Sequence, residues 1–173
     1  MNRQRRLACV AFVAVVATRH AWAQQGPETL SIDGDVAKPL VLTVQDLRGL
    51  PAQHVEDKRG DNRSTGESAS PRRYTGVRLR ELLDRAQPKE REPRGLRKSY
   101  VVASASDGYQ VVFSWAELYL SPIGDGVLVV YERDGAPLRA GEGPIALVSL
   151  ADSSPGPRHV KWLRRIELRA IAP

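Results

Sequence analysis

Three of the chain's four Asp-Gly pairs, Asp33-Gly34, Asp107-Gly108 and Asp134-Gly135, read as turns between strands, each beside short runs of Val, Leu and Ile. Glycine supplies the positive-φ backbone that a tight reversal needs, and aspartate bonds to its own backbone nearby. A turn of this kind between apolar runs reads as a hairpin. Leu30 and Ile32 alternate before the first turn, and Val36 to Leu42 follow it. Val101–Ala103 and Tyr109–Phe113 flank the second, and "VLVVYER" leads into the third. Near the end, Val160 to Leu168 alternates again, with Val160, Trp162, Ile166 and Leu168 on one side. Strands therefore dominate.

Helices are few and short. Thr43 precedes Asp46 by three positions, and Ser114 precedes Glu117 by three. Both are capping-box spacings, in which each side chain satisfies a backbone N–H at the other end of the first turn. "YTGVRLRELLDRA" places Leu79, Leu82, Leu83 and Ala86 at i, i+3, i+4 and i+7, one apolar helical face. The stretch Lys58 to Arg73 holds Ala69 as its sole apolar residue. It reads as an exposed, mobile polar loop over residues 58–73. Strands linked mostly by hairpins, with a few short helices, make an α+β fold of mixed, mainly antiparallel sheets.

The N-terminus reads as a separate segment. Arg3, Arg5 and Arg6 precede an apolar run from Leu7 to Ala17, and "AWA" ends at Ala23. That pattern predicts a cleavable export signal over residues 1–23 and one domain over 24–173, located in the periplasm. The Arg5-Arg6 pair hints at the twin-arginine route. The leader carries four arginines and no acid, so the formal charge falls from 6 to 6 − 4 = +2. The basic pI is thus a property of the leader, and no nucleic-acid partner is expected. Cys9, the sole cysteine, leaves with it, so the domain is expected to hold no disulfide and no thiolate. Without the leader the domain is not expected to span a membrane.

Several chemistries lack their residues. His54 and His159 are far apart and have no partner at metal-ligand spacing. No G-x-S-x-G, phosphate-binding loop or dinucleotide fingerprint occurs. What stands out is "PGPRHVKWLRRIEL". In an extended strand His159 and Lys161 share a face beside Arg158, a grip for a polar or anionic ring. Asp107 is either a turn former or a ligand contact. Trp115, at the first turn of a helix, either covers a flat ligand or plugs the core.

The order of these motifs resembles the sulfite-oxidase-type molybdopterin-binding domain. The resemblance runs over nearly the whole domain. Its most specific part is Gly156, Arg158, Val160, Lys161, Trp162, Leu163 and Ile166, followed by Gly76, Val77, Leu79, Leu82 and Leu83. It implies a pterin held in a central cleft, with Arg158, His159 and Lys161 at the grip. Asp107 or Asp152 would supply a carboxylate for the pterin edge, and Trp115 or Tyr109 a stacking face. Catalytic members ligate molybdenum with a cysteine, in a region that here runs from His54 to Arg73 and contains none. His54, Glu56 and Asp57 are poor stand-ins for a thiolate. The resemblance therefore points to a cysteine-free pterin-binding protein without redox catalysis and without molybdenum. Its expected partner is the periplasmic domain of a membrane-bound cyclic-di-GMP signalling enzyme. The alternative is a molybdenum-cofactor-dependent oxidoreductase, transferring oxygen to or from sulfur, with a non-cysteine metal ligand.

Overall fold

The computed structural model describes residues 28–59, 71–90, 92–153 and 156–171. The proposed leader and the middle of the polar stretch lie outside these residues. The order of elements is β1 (Leu30–Gly34), β2 (Leu40–Leu42), α1 (Val44–Arg48), β3 (Gln53–Asp57), β4 (Arg72–Arg78) and α2 (Leu79–Ala86). β5 (Ser99–Ala105), β6 (Gln110–Ser114), α3 (Trp115–Tyr119), β7 (Val127–Arg133), β8 (Ala136–Pro137), β9 (Ala146–Ser149) and β10 (Leu163–Ala170) follow. Single 3₁₀ turns precede β5, β7 and β9.

The strands form two sheets. The first runs β2-β1-β10-β5-β6, and the second runs β3-β4-β7 with β8 and β9 sharing the far edge of β7. Only β1 and β10 pair in parallel among the described strands; the other pairs are antiparallel. This is the expected α+β architecture of mixed, mainly antiparallel sheets.

Alternation places the core. Leu30 and Ile32 of β1, Val101 and Ala103 of β5, Phe113 of β6 and Ile166 and Leu168 of β10 point inward from the first sheet. They meet Val127, Val129 and Tyr131 of β7, together with Leu79, Leu82, Leu83 and Ala86 of α2. Removing these side chains from water supplies the main drive for folding. A second, smaller cluster of Tyr74, Leu128, Val130, Leu138, Ala146 and Val148 covers the opposite face of the second sheet. β7 is therefore buried on both faces, which explains its unbroken apolar run. Both capping boxes form, Thr43 with Asp46 and Ser114 with Glu117.

Three expectations are corrected. Tyr74 to Arg78 belong to strand β4, and the helix starts only at Leu79. The residues from Tyr74 to Val77 are buried, as a strand between neighbours requires. The end of the polar stretch 58–73 is strand, because Arg72 and Arg73 open β4 and pair with Asp57 and Glu56 of β3. Finally, the last strand begins at Leu163, not Val160. Val160 makes one isolated bridge to Leu147, so the segment before β10 ties to the second sheet instead of continuing the first.

β4 carries an irregularity opposite β7. Thr75 faces Glu132 and Gly76 faces Val130, leaving Tyr131 as an extra residue on β7. Such a bulge turns the residues beyond it to the other face. Arg133 consequently sits opposite Tyr74, on the outer side. Gly76 allows the two backbones to approach: a Cβ there would lie 2.3 Å from the Val129 carbonyl oxygen. Gly76→Ala is expected to cost about 1–3 kcal/mol by forcing β4 and β7 apart. Urea unfolding monitored by circular dichroism measures this; an unchanged midpoint would mean the strands do not touch there.

Candidate binding cleft

On the outer side of the second sheet, the ends of β3, β4 and β9 and the segment before β10 surround a cavity of about 220 Å³. Each contributes for a local reason. Asp57 ends β3 and pairs in register with Arg72 at the start of β4; Tyr74 follows two positions on, hence on the same face as Arg72. Val148 and Ser149 close β9, and Asp152, Gly156, Arg158, His159 and Lys161 come from the turn and bridge beyond it.

Two arginines hold the walls. Arg59 donates Nε–H to Asp57 Oδ1 at 2.8 Å and Nη2–H to Asp57 Oδ2 at 3.2 Å. Its Nη1 donates to the carbonyls of Ser149 at 2.8 Å and Asp152 at 2.9 Å, tying β3 to the turn after β9. Arg158 donates Nε–H to Asp152 Oδ2 at 2.8 Å and an Nη2 hydrogen to Asp152 Oδ1, a bidentate pair. Its Nη1 donates to Glu117 Oε1 at 2.9 Å. The Arg158 guanidinium also lies 4.6 Å from the centroid of the Phe113 ring.

These pairs set the acids. Burial by itself pushes the Asp152 carboxyl up, but hydrogen bonds and charge from Arg158 outweigh it and hold the group below the usual carboxylate range. Burial also acts against Glu117, where the Ser114 backbone and hydroxyl donors, with Arg158, bring the net direction down. Asp57 is lowered in the same way, by Arg59 against burial. Arg158 is raised, chiefly by its hydrogen bonds to Asp152.

A second cavity of about 230 Å³ opens beside the first, lined by Ala105, Asp107, Tyr109, His159 and Lys161. His159 and Lys161 border both spaces. The predicted site residues fall as follows. Asp152, Arg158, His159 and Lys161 line the first cavity, and Asp107 and Tyr109 line the second. Asp107 also works as a turn former, its Oδ1 accepting from the Tyr109 N–H at 2.9 Å. The Tyr109 hydroxyl donates to the Pro157 carbonyl, linking the β5–β6 turn to the grip segment. Trp115 lines neither cavity. It stacks on Tyr119 at 3.9 Å between centroids and packs against the core, the i, i+4 pairing of a helix face.

Sequence reasoning missed Asp57, Arg59, Arg72 and Tyr74 as cleft residues. The first three belong to or border the polar stretch read as a loop, and Tyr74 was read into a helix. The available signal was alternation across Val55 and Asp57 facing that of Arg72 and Tyr74, the mark of a strand pair.

The organic part of a pterin cofactor fits this donor set. Cations and N–H donors suit a phosphate and a carbonyl, and Asp107 suits a ring N–H edge. Among the described residues no group of three or more His, Cys, Asp or Glu is placed to hold a metal ion by itself. The family model for the oxidoreductase molybdopterin binding domain matches residues 20–172. The chain belongs to this family. Its fold is similar to that of the sulfane dehydrogenase SoxCD from Paracoccus pantotrophus, with a TM-score of 0.61 and 25% identity. The match covers 83% of this chain and 39% of that one, so the chain spans well under half the length of that enzyme's chain. No curated protein matches by sequence.

These findings correct the functional expectation. A pterin-binding partner of a signalling enzyme without redox catalysis is overturned, because both the family and the similar structure are those of oxidoreductases. They favour the alternative, a molybdenum-cofactor-dependent oxidoreductase. The expectation that molybdenum is absent loses its support with it.

Arg158→Met is expected to cost about 1–3 kcal/mol, since Asp152 and Glu117 each lose a charged donor while partly buried. The sign with pH follows. In the wild type the lowered carboxyls contribute stability above their unfolded values, and this is lost as pH falls through the lowered folded values. The variant loses the share of that lowering that Arg158 supplies, so its acid unfolding should begin at a higher pH. Fluorescence-monitored acid titration of both proteins checks this.

Proposed function

We propose that this chain binds a molybdopterin-type cofactor across the two adjoining cavities and is the cofactor-binding part of a molybdenum-dependent oxidoreductase acting on sulfur compounds. The supporting observation is the segment Arg158–Lys161. It lies within the matched family region, and its His159 and Lys161 border both cavities. The sulfur substrate class is drawn from the similarity to the sulfane dehydrogenase. A periplasmic location is part of the same proposal and is supported by the leader-like sequence before Ala23.

A bound cofactor would supply two-electron chemistry at its metal. The chain's residues bind and orient it. Lys161, exposed and at the junction of the cavities, brings a flexible ammonium to an anionic group. Arg158 is already fixed by Asp152 and Glu117, so it holds the cleft wall in place without needing to reorganise. Asp107 has acceptor capacity beyond its turn bond for a ring N–H edge. Tyr109, 45% exposed, offers the aromatic surface of the second cavity. Tyr74, buried in the first, presents apolar surface that helps exclude water.

The test is the full-length chain, produced in a host that makes the molybdenum cofactor. Elemental analysis should find close to one molybdenum per chain, and denaturation should release a fluorescent pterin. The loaded protein should oxidise thiosulfate or sulfite with a dye acceptor. Lys161→Ala should lower cofactor occupancy at least tenfold, by loss of about 1.4 kcal/mol or more. Pterin without molybdenum would end the oxidoreductase part of this reading, and absence of both would end the site.

A further inference from the structure

Behind His159, away from the cavities, lies a buried charged group that the cleft itself does not use. Glu142 and Arg133 have side chains only 9% and 7% exposed. Arg133 Nη1 donates to Glu142 Oε1 at 2.7 Å. Glu142 Oε2 and Arg133 Nη2 are buried with no hydrogen-bond partner among the described residues. A single bond is a poor return for burying two charges, because each unmet polar atom costs about 1–3 kcal/mol. The arrangement is nonetheless actively built. The bulge at Tyr131 turns Arg133 outward, and the Glu142 carbonyl accepts from the Trp162 N–H at 2.8 Å, holding the acid against the grip segment.

His159 Nε2 lies 4.0 Å from Glu142 Oε1, and the His159 ring meets the Tyr74 ring edge-on at 6.4 Å between centroids. We propose that Glu142 is a positioning residue that acts through His159, holding the imidazole in its protonated form with the Nε2–H directed at the carboxylate. The charge balance favours this. Arg133 sits between two acids, Glu142 at 2.7 Å and Asp134 at 3.8 Å, which leaves this side of His159 one negative charge in excess. On the cleft side Arg59 is matched by Asp57 and Arg158 by Asp152 and Glu117, while Arg72, which lines the first cavity with His159, adds a cation. Lys161, exposed to solvent, opposes the protonated state most directly, and Asp107 in the second cavity offsets it. The buried Glu142 charge is screened least and sets the outcome. In functional terms, which rest on the cleft reading above, Glu142 adds a second cation to Lys161 at the junction of the cavities.

NMR titration of His159 in the cofactor-free protein tests this, with the signal assigned by its loss in His159→Gln. The wild-type midpoint should lie above the ordinary histidine value of about 6.5 and fall by roughly one pH unit in Glu142→Gln. A wild-type midpoint below about 6.5, or one unmoved in a folded Glu142→Gln, overturns the proposal. If that variant does not fold, the wild-type midpoint alone decides. Inorganic phosphate added during the titration separates this proposal from the cleft reading. A midpoint that follows Glu142 but ignores phosphate keeps the positioning role and counts against the anion site.

Discussion

The molecule depends on how its chain crosses from one sheet to the other between Val160 and Leu163. Val160 and Leu147 exchange two backbone bonds of 2.9 Å, Leu163 N–H reaches the Ile145 carbonyl at 2.9 Å, and Trp162 N–H reaches Glu142. From the other side Ser106 N–H donates to the Trp162 carbonyl at 3.0 Å. Five bonds thus stitch β9, β10 and the β5–β6 turn within four residues of chain. Trp162 takes a positive φ of 51° to make the corner, a conformation that costs a side-chain-bearing residue energy. Its ring and backbone fill the space over Gly143, where a Cβ would meet the ring at 2.7 Å. The residues just before this corner, Arg158, His159 and Lys161, are the ones that face the cavities.

Electrostatics in the cleft follows from the same placement. The walls bring positively charged side chains together, which would repel one another if left alone. Asp57, Asp152 and Glu117 stand between them, and their depressed carboxyls record how well the opposing charges are matched. Pairing of this kind secures geometry more than it adds stability, because desolvation takes back much of the Coulomb gain. The result is a cleft whose Arg59 and Arg158 are held by several bonds each while its lysine is exposed, a division suited to gripping an anionic ligand without rebuilding the wall.

Much of this was legible in the sequence. The Asp-Gly hairpins at Asp107 and Asp134 and both capping boxes were readable because each is a local effect with a local signature. Asp33-Gly34 misled, because both residues end β1 opposite Glu167 and Leu168 of β10, and the partner strand starts at Leu40, not Val36. Arg158, His159 and Lys161 were readable as a group because alternate residues share a face even without a regular ladder. The strand Arg72–Arg78 was missed because the helical period of Leu79 to Ala86 begins at once after it, with no capping side chain at Arg78 to mark the change. The Glu142–Arg133 pair was invisible for a different reason. A bulge at Tyr131, in a run with no glycine or proline, decides which face Arg133 takes, and that depends on β4, more than fifty positions earlier. Trp115 had two readings, and α3 resolves them toward packing on Tyr119.

The order of strands in the first sheet has a consequence for synthesis. β10, the last strand in the chain, lies at its centre, between β1 and β5. Until residues 163–170 leave the ribosome, β1–β2 and β5–β6 are two hairpins with bare inner edges. Neither can bury its apolar face against the other, and exposed edges invite pairing with other chains. Folding of this half must therefore wait for β10 to emerge, and the grip segment, which leads directly into β10, is set in place at that same step. Until β10 has emerged, a nascent chain of this protein stays receptive to chaperones.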